Sequence, residues 1–257
     1  MSKQWAVITG ASSGLGAIFA EQLAKRGHPL VLAGRDEVRL KAVAERVGQH
    51  AELVLGDLGT EDGVDSLIAH LDGRDIGVLV NNAGFGTYGK FAELDAAREH
   101  ELVAVNVDAL MRLTHAVLPG MHARGQGGVL NVASTIAFQS APCQATYGAS
   151  KAFVLSLSQA LWAETRGTGV TVTALCPGPT RTGFVDALGS DVSRTAIYRR
   201  LAAPEPVVAA GLRALDRGRA VVVPDWRYRV MATGGRLLPG WLSALVSGRM
   251  LRPAEHS

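Results

Sequence analysis

Trp5-Ala6-Val7-Ile8-Thr9-Gly10-Ala11-Ser12-Ser13-Gly14-Leu15-Gly16 is the stretch that decides the fold. Its first residues form an apolar run that reads as a buried strand, Trp5–Thr9. A helical pattern begins at Leu15 and runs to Arg26, where the basic pair Lys25-Arg26 and then Gly27 mark a stop. A strand that turns on glycine into a helix aims exposed backbone N–H groups and the positive helix end at one point, which suits a pyrophosphate. Glycine admits the tight turn and lets phosphate oxygens approach the backbone. Gly10, Ser12, Ser13, Gly14, Leu15 and Gly16 are therefore candidate cofactor contacts. The spacing is G-x-x-x-G-x-G, neither the G-x-G-x-x-G pattern nor a phosphate loop with its lysine. On these residues alone, a glycine turn used only for packing stays open.

Outward from this turn, short apolar runs alternate with longer amphipathic ones. The strands read as Leu30–Ala33, Glu52–Leu55, Gly77–Val80, Gly128–Val132, Val170–Leu175 and Ala220–Val223. The helices read as Asp36–Val47, Thr60–Leu71, Asp95–Leu118, Tyr147–Thr165 and Pro204–Arg217. Several strands are apolar on both faces, as strands inside a parallel sheet are. The alternation predicts an α/β fold of Rossmann type: one doubly wound parallel sheet with helices on both faces. We expect a single dinucleotide-binding and catalytic domain over residues 1–225, with a small helical extension at 226–257.

Composition narrows the function. The chain has 257 residues, 47% hydrophobic and 19% charged, which is globular and not disordered. Its 30 glycines fit a fold with many tight turns. Net charge is +3 without long basic runs, so nucleic acid is not an expected partner. Cys143 and Cys176 cannot build a disulfide framework. The chain enters its first strand without a signal pattern, and no apolar run reaches the ~18 residues of a membrane span. The expectation is a cytoplasmic protein. His115 and His122 share a helix face, but no acid or cysteine completes a metal set, so no metal is expected.

The second strand bears on the cofactor. NAD binders place an acid at its end, on the ribose hydroxyl. Here Gly34 stands in that place and Arg35 follows, in Leu32-Ala33-Gly34-Arg35-Asp36. An arginine makes a charge-assisted fork to a 2′-phosphate and stacks on adenine, which favours NADP(H). A solvated Arg35 beside a helix-capping Asp36 is the plainer alternative.

Tyr147 and Lys151 are four apart at the start of a helix, so they share a face. Phenol is a poor acid–base group at neutral pH, and a nearby ammonium favours its phenolate. The pair suits proton transfer at a hydroxyl or carbonyl oxygen. Ser134 follows the strand ending at Val132, where its hydroxyl can meet a substrate oxygen. Pro177-Gly178 follows another apolar strand and borders the same carboxyl edge of the sheet, where ligands bind in open α/β folds.

Taken together, these pieces resemble the short-chain dehydrogenase/reductase family. The matching residues are Thr9–Gly16, Asp57-Leu58, Asn81-Asn82-Ala83-Gly84, Asn106, Ser134, Tyr147-Gly148-Ala149-Ser150-Lys151 and Pro177-Gly178-Pro179-Thr180-Arg181-Thr182, in order over residues 5–182. The resemblance implies that Tyr147 is the acid–base catalyst and that Lys151 lowers its pKa while binding the nicotinamide ribose. It implies that Ser134 orients the carbonyl and that Asn106 holds a water in a proton relay. Asp57 and Leu58 would lie at the adenine. Asn82, Ala83 and Gly84 would lie along the cofactor, and Pro177, Gly178, Thr180 and Thr182 at its nicotinamide end. Many NADP-binding members carry a basic residue where Ser13 stands, so the NADP(H) expectation rests on Gly34 and Arg35.

The expected activity is an NADP-dependent carbonyl reductase or alcohol dehydrogenase acting on an apolar small molecule. The alternatives are a non-catalytic dinucleotide-binding regulator, and an epimerase or dehydratase, for which 257 residues leave little room. The substrate pocket is expected from residues 85–91, 135–143 and 183–203. Phe85, Tyr88, Phe91 and Phe138 are candidate apolar lining, and Arg181, Arg194, Arg199 and Arg200 could hold an acidic group. The resemblance also implies a homodimer or homotetramer, partly through the Tyr147–Thr165 helix. From Trp226 to Arg252 the chain carries five arginines and no acid, interleaved with leucines and Trp241. A lid, a subunit contact and a membrane-surface segment are all open for this stretch.

Overall fold

The computed structural model describes residues 4–48, 50–184, 188, 201–230 and 240–251. Seven parallel strands form one sheet in the order β3-β2-β1-β4-β5-β6-β7. They are β1 (Trp5–Thr9), β2 (Leu30–Gly34), β3 (Ala51–Leu55), β4 (Ile76–Asn81), β5 (Gly127–Val132), β6 (Val170–Leu175) and β7 (Val221–Val222). The register puts Ile8 beside Leu32 on one side and Val80 on the other. Strand order reverses between β1 and β4, so the chain diverges there and leaves a crevice above the carboxyl ends of these two strands.

The apolar runs are two-faced, as read. Ile8, Leu32, Val80 and Leu130 point to one side, where they pack on α1 (Gly14–Lys25), α2 (Glu37–Val47) and α7 (Pro204–Asp216) through Phe19, Leu40 and Leu212. Val7, Val31, Leu79 and Val129 point to the other, against α3 (Glu61–Leu71) and α5 (Leu110–Arg124) through Leu67, Leu113 and Met121. These side chains are 0–1% exposed, so both faces are core. The helix starts have the expected caps: Asp36 accepts from Arg39 N at 3.0 Å and Thr60 from Gly63 N at 3.1 Å. Gly27 takes the left-handed conformation (φ 81°) at the end of α1.

The predicted Asp95–Leu118 helix departs from the reading twice. Between α4 (Ala96–Val103) and α5 lies a π-turn, Ala104–Ala109, which inserts an extra residue into the ladder and contains Asn106. Beyond Leu118 the helix runs on through Pro119 to Arg124 and ends at Gly125 (φ 62°). Pro119 and His115, whose carbonyl the proline leaves without its helical donor, both lie on the exposed face of the helix. The continuous 29-residue helix Ala96–Arg124 contains a stretch long and apolar enough to cross a membrane. The sequence reading found no such stretch. Its apolar side is nonetheless spent on the core, through Leu102, Leu110, Leu113, Val117 and Met121.

A buried polar chain fixes α6 (Ala145–Glu164) against the sheet. Asn81 Nδ2 donates to Thr114 Oγ1 and to Asn131 Oδ1, both at 2.9 Å, and Asn131 Nδ2 donates to Ser158 Oγ at 2.9 Å. The start of α6, with Tyr147 and Lys151, is thereby held beside the end of β5.

Candidate active site

A cavity of about 580 Å³ opens above the carboxyl ends of β1, β4, β5 and β6. It is lined by Gly10, Ser12, Ser13, Gly14, Leu15, Arg35, Asp57, Leu58, Asn82, Ala83 and Gly84, and farther along by Ser134, Tyr147, Lys151, Pro177, Gly178, Thr180 and Thr182. Residues spread over 170 positions of sequence thus share one wall because parallel strands all end on the same edge. Gly16 and Asn106 do not line it. A Cβ on Gly16 would stand 2.1 Å from Gly10 O and 2.7 Å from Asn82 Nδ2, so Gly16 serves close packing behind the wall. Asn106 is buried: its Oδ1 accepts from Phe85 N at 3.1 Å, and its Nδ2 donates to Phe85 O and Ser150 Oγ, both at 3.0 Å. It ties the turn after β4 to α6.

The first turn fits a dinucleotide's pyrophosphate. Gly10 and Gly14 have φ 62° and 55°. At Gly10 a Cβ would come within 2.9 Å of Ala83 Cα, so strands β1 and β4 approach too closely for any side chain. Ser13 gives α1 no side-chain cap, and the first turn of α1 carries no acid. Its N–H groups and dipole therefore face the cavity without a competing carboxylate.

At the end of the cavity beside β2, Arg35 sits between two carboxylates. Its Nη1 donates to Asp57 Oδ2 at 3.3 Å and to Glu101 Oε1 at 3.1 Å. Burial opposes its charge, but Asp57 and Glu101 outweigh that and hold its pKa above the ordinary arginine value. Asp57 Oδ1 also accepts from Gly59 N at 2.9 Å, which sets the carboxylate's orientation. Glu101 in turn accepts from Arg98 through Oε2, and the Arg98 guanidinium lies 3.8 Å from the centre of the Phe85 ring. Arg39, one turn beyond Arg35, lines the same end and pairs with Asp36 at 3.2 Å.

At the other end, Tyr147 and Lys151 are 6% and 4% exposed. Lys151 Nζ lies 5.9 Å from the Tyr147 ring centre and donates to Val132 O at 3.0 Å. Burial pushes its pKa from the ordinary 10.5 down to about 8, with Cys176 acting in the opposite direction. The ammonium is thus costly to keep and readily gives up its proton. Ser134 Oγ accepts from Ile136 N at 3.3 Å, which leaves its hydroxyl hydrogen to donate. Phe184 packs on Tyr147 with ring centres 5.4 Å apart. Such an arrangement suits proton transfer to an oxygen in a site walled partly by rings.

The aromatic candidates part ways. Phe85 lines the cavity. Tyr88 joins Phe184, Leu188 and Leu201 in a small apolar cluster beside it. Phe138 packs with Val154 and Cys176, and Phe91 is 67% exposed. Arg181 is exposed and does not line the cavity, while Arg194, Arg199 and Arg200 lie outside the described residues. Sequence reasoning missed Tyr228, Gln144, Arg39 and Arg98, all of which line the cavity. Tyr228 lies against Gly178, where a Cβ would stand 2.6 Å from its ring. Burial and then Asp225 raise the Tyr228 pKa, so this phenol stays neutral. The place of Arg39 in the first turn of the helix that follows Arg35 is the one signal that could have found it.

The model of the short chain dehydrogenase family matches residues 4–193. This chain belongs to the short-chain dehydrogenase family. Among curated relatives it is 32% identical over 249 residues to a hydroxysteroid dehydrogenase-like protein 1 of Gallus gallus, covering 94% of this chain and 74% of that one. It is 36% identical over 262 residues to a very-long-chain 3-oxoacyl-CoA reductase of Bos taurus, covering 97% and 81%. Among solved structures, a short-chain dehydrogenase from Sphingobium yanoikuyae in complex with NADPH superposes with a TM-score of 0.82 at 35% identity, covering 99% of this chain and 98% of that one. The seven-stranded parallel sheet is the dehydrogenase fold expected from the sequence.

Proposed function

We propose that this dehydrogenase interconverts a carbonyl and an alcohol on an apolar small molecule, with NADP(H) as cofactor and Tyr147 as the acid–base group. The observation that carries the reading is the junction of Tyr147, Lys151 and Ser134 at one end of a cavity whose other end presents the glycine turn and Arg35. When bound, the nicotinamide dinucleotide supplies the hydride. Ser134 donates its hydroxyl hydrogen to the carbonyl oxygen and orients it. Tyr147 gives its proton to that oxygen in reduction and takes it back in oxidation. The Lys151 ammonium, 5.9 Å from the ring, stabilises the phenolate that remains. Asn106 keeps the turn after β4 seated against α6, so Lys151 holds its position.

NADP(H) is favoured because Arg35 and Arg39 stand at the end where a 2′-phosphate would lie and Gly34 contributes no carboxylate. Asp57 and Glu101 already engage Arg35, so a phosphate competes with them for its fork. An apolar substrate is supported by Phe184 on the Tyr147 ring and Ile136 close by, with Phe85 elsewhere on the cavity wall. It is in keeping with the names of the steroid and oxoacyl relatives. Assembly as a homodimer or homotetramer partly through α6 belongs to the same reading; Phe153 on that helix is 38% exposed.

The test is NADPH oxidation against an aromatic aldehyde, a hydrophobic ketone, a ketosteroid and a 3-oxoacyl thioester, beside NADH and a Tyr147→Phe blank. Turnover that requires Tyr147 and prefers NADPH is the expected result. A preference for NADH overturns the reading of Arg35. Tight cofactor binding without turnover of any carbonyl favours the non-catalytic alternative.

A further inference from the structure

Beyond the cavity, the same edge of the sheet carries apolar side chains turned to solvent. Residues 226–230 form a short helical segment after β7 whose Tyr228 faces inward onto Gly178. Trp226 and Val230 lie two residues to either side of it, about 200° away around a helix, and so point outward. They are 67% and 64% exposed. Farther on, α8 (Gly240–Leu251) docks on the loop between β5 and α6: Ser247 Oγ donates to Ser140 O at 2.5 Å, and Gly248 faces Pro142. Trp241, Leu245 and Arg249 stand at i, i+4 and i+8 and form one stripe on its outer side. Trp241 and Leu245 are 68% and 62% exposed. Both segments rest on loops that leave the carboxyl ends of β5 and β6, so they flank the mouth of the cavity.

Charge identifies what covers this surface. Among the described residues this rim carries Arg227, Arg229 and Arg249, all exposed, against one flanking acid, Asp225. Arg227 is exposed, and its guanidinium lies 5.7 Å from the Trp226 ring centre. A two-fold contact between copies would press this patch against itself and set arginine against arginine, with Asp225 as the one described carboxylate beside them and already accepting from the Arg227 N–H. An anionic bilayer surface accepts all three kinds of side chain: indoles at the headgroup level, leucine and valine below it, guanidinium among the phosphates. We infer that the rim formed by residues 226–230 and α8 docks this protein on anionic membrane surfaces, with the cavity mouth toward the lipid. Uptake of a membrane-dissolved substrate through that mouth rests on the proposed reaction; the docking itself does not.

The experiment is co-sedimentation of the full chain with vesicles of phosphatidylcholine alone and with about one-third phosphatidylglycerol, in low and high salt. Wild type pellets with the anionic vesicles, and raising salt from about 0.1 to 0.5 M weakens binding several-fold. A Trp226→Ser/Trp241→Ser/Leu245→Ser variant and, separately, an Arg227→Gln/Arg249→Gln variant each lose about tenfold or more in lipid affinity. Circular dichroism melting checks that both variants are folded, and the arginine variant, changed only at exposed positions, stands as the test if the first does not fold. Failure of wild type to pellet overturns the proposal, as does unchanged binding by the arginine variant. A dimer that dissociates in the tryptophan variant, without vesicle binding by wild type, assigns the surface to a second copy and overturns it as well. None of these readouts depends on turnover, so failure of docking is distinct from failure of the proposed reaction.

Discussion

Lys151→Met should change how stability depends on pH, in a direction that only a buried, destabilised ammonium produces. Folding moves the lysine pKa from 10.5 to about 8. That fall corresponds to about 3.4 kcal/mol, at about 1.36 kcal/mol per pH unit. The sign follows from proton counting. Below about pH 8 both folded and unfolded chains hold the proton, and the folded state bears the full cost of burying it. Between about pH 8 and 10.5 the unfolded chain still holds the proton while the folded chain has released it, so stability rises with pH. Between about pH 7 and pH 10 the wild type should therefore gain about 2.5 kcal/mol relative to the methionine variant. The variant also loses the bond to Val132 O, but that loss is the same at every pH and cancels from the comparison. Urea denaturation of both proteins without cofactor at the two pH values gives the double difference. Parallel behaviour within about 0.5 kcal/mol would refute the argument that Lys151 is charged at a dry site.

Tyr147→Phe keeps the ring packed on Phe184 and removes only the hydroxyl, so turnover should fall by about 10²–10⁴ while cofactor affinity, read by fluorescence titration, stays near wild type. Retained turnover would remove Tyr147 from the mechanism. Arg35→Ala should weaken NADPH binding by about ten- to a hundredfold and leave NADH nearly unchanged, and an equal loss for both cofactors would mean that Arg35 is structural. Gly178→Ala drives a methyl group into the Tyr228 ring and should cost about 1–3 kcal/mol in a thermal melt. Adding Tyr228→Ala should recover part of that loss, and if it does not, the clash lies elsewhere.

What the sequence made legible was local. The β1 strand, its glycine turn and α1 are adjacent in the chain, and period and turn chemistry specify them without help from distant residues. The Tyr147 and Lys151 pair was readable because helical spacing sets their common face. The π-turn at Ala104–Ala109 was not, because one extra residue in a hydrogen-bond ladder leaves no mark on apolar spacing. The helix read as ending at Leu118 runs on through Pro119, because which face of a helix the sheet covers is not written in its local sequence. Phe85 and Phe91 lie in one connection and have opposite fates, since loop side chains follow no period. Tyr228 was hidden for a different reason: its partner Gly178 is fifty residues earlier, and only the return of the chain to β7 brings them together.

Glu101 receives Arg35 on one carboxylate oxygen and Arg98 on the other, and Arg98 covers Phe85. For anyone redesigning this protein, the wiring means that, on the roles proposed for Arg35 and Phe85, cofactor choice and substrate choice are not independent dials. A substitution at Arg35 aimed at accepting NADH also frees one oxygen of Glu101, lets Arg98 resettle, and alters the cover over an aromatic wall of the cavity. Libraries that vary position 35 alone will select for altered substrate handling without asking for it, whereas varying 35, 98 and 101 together lets the two properties be tuned apart.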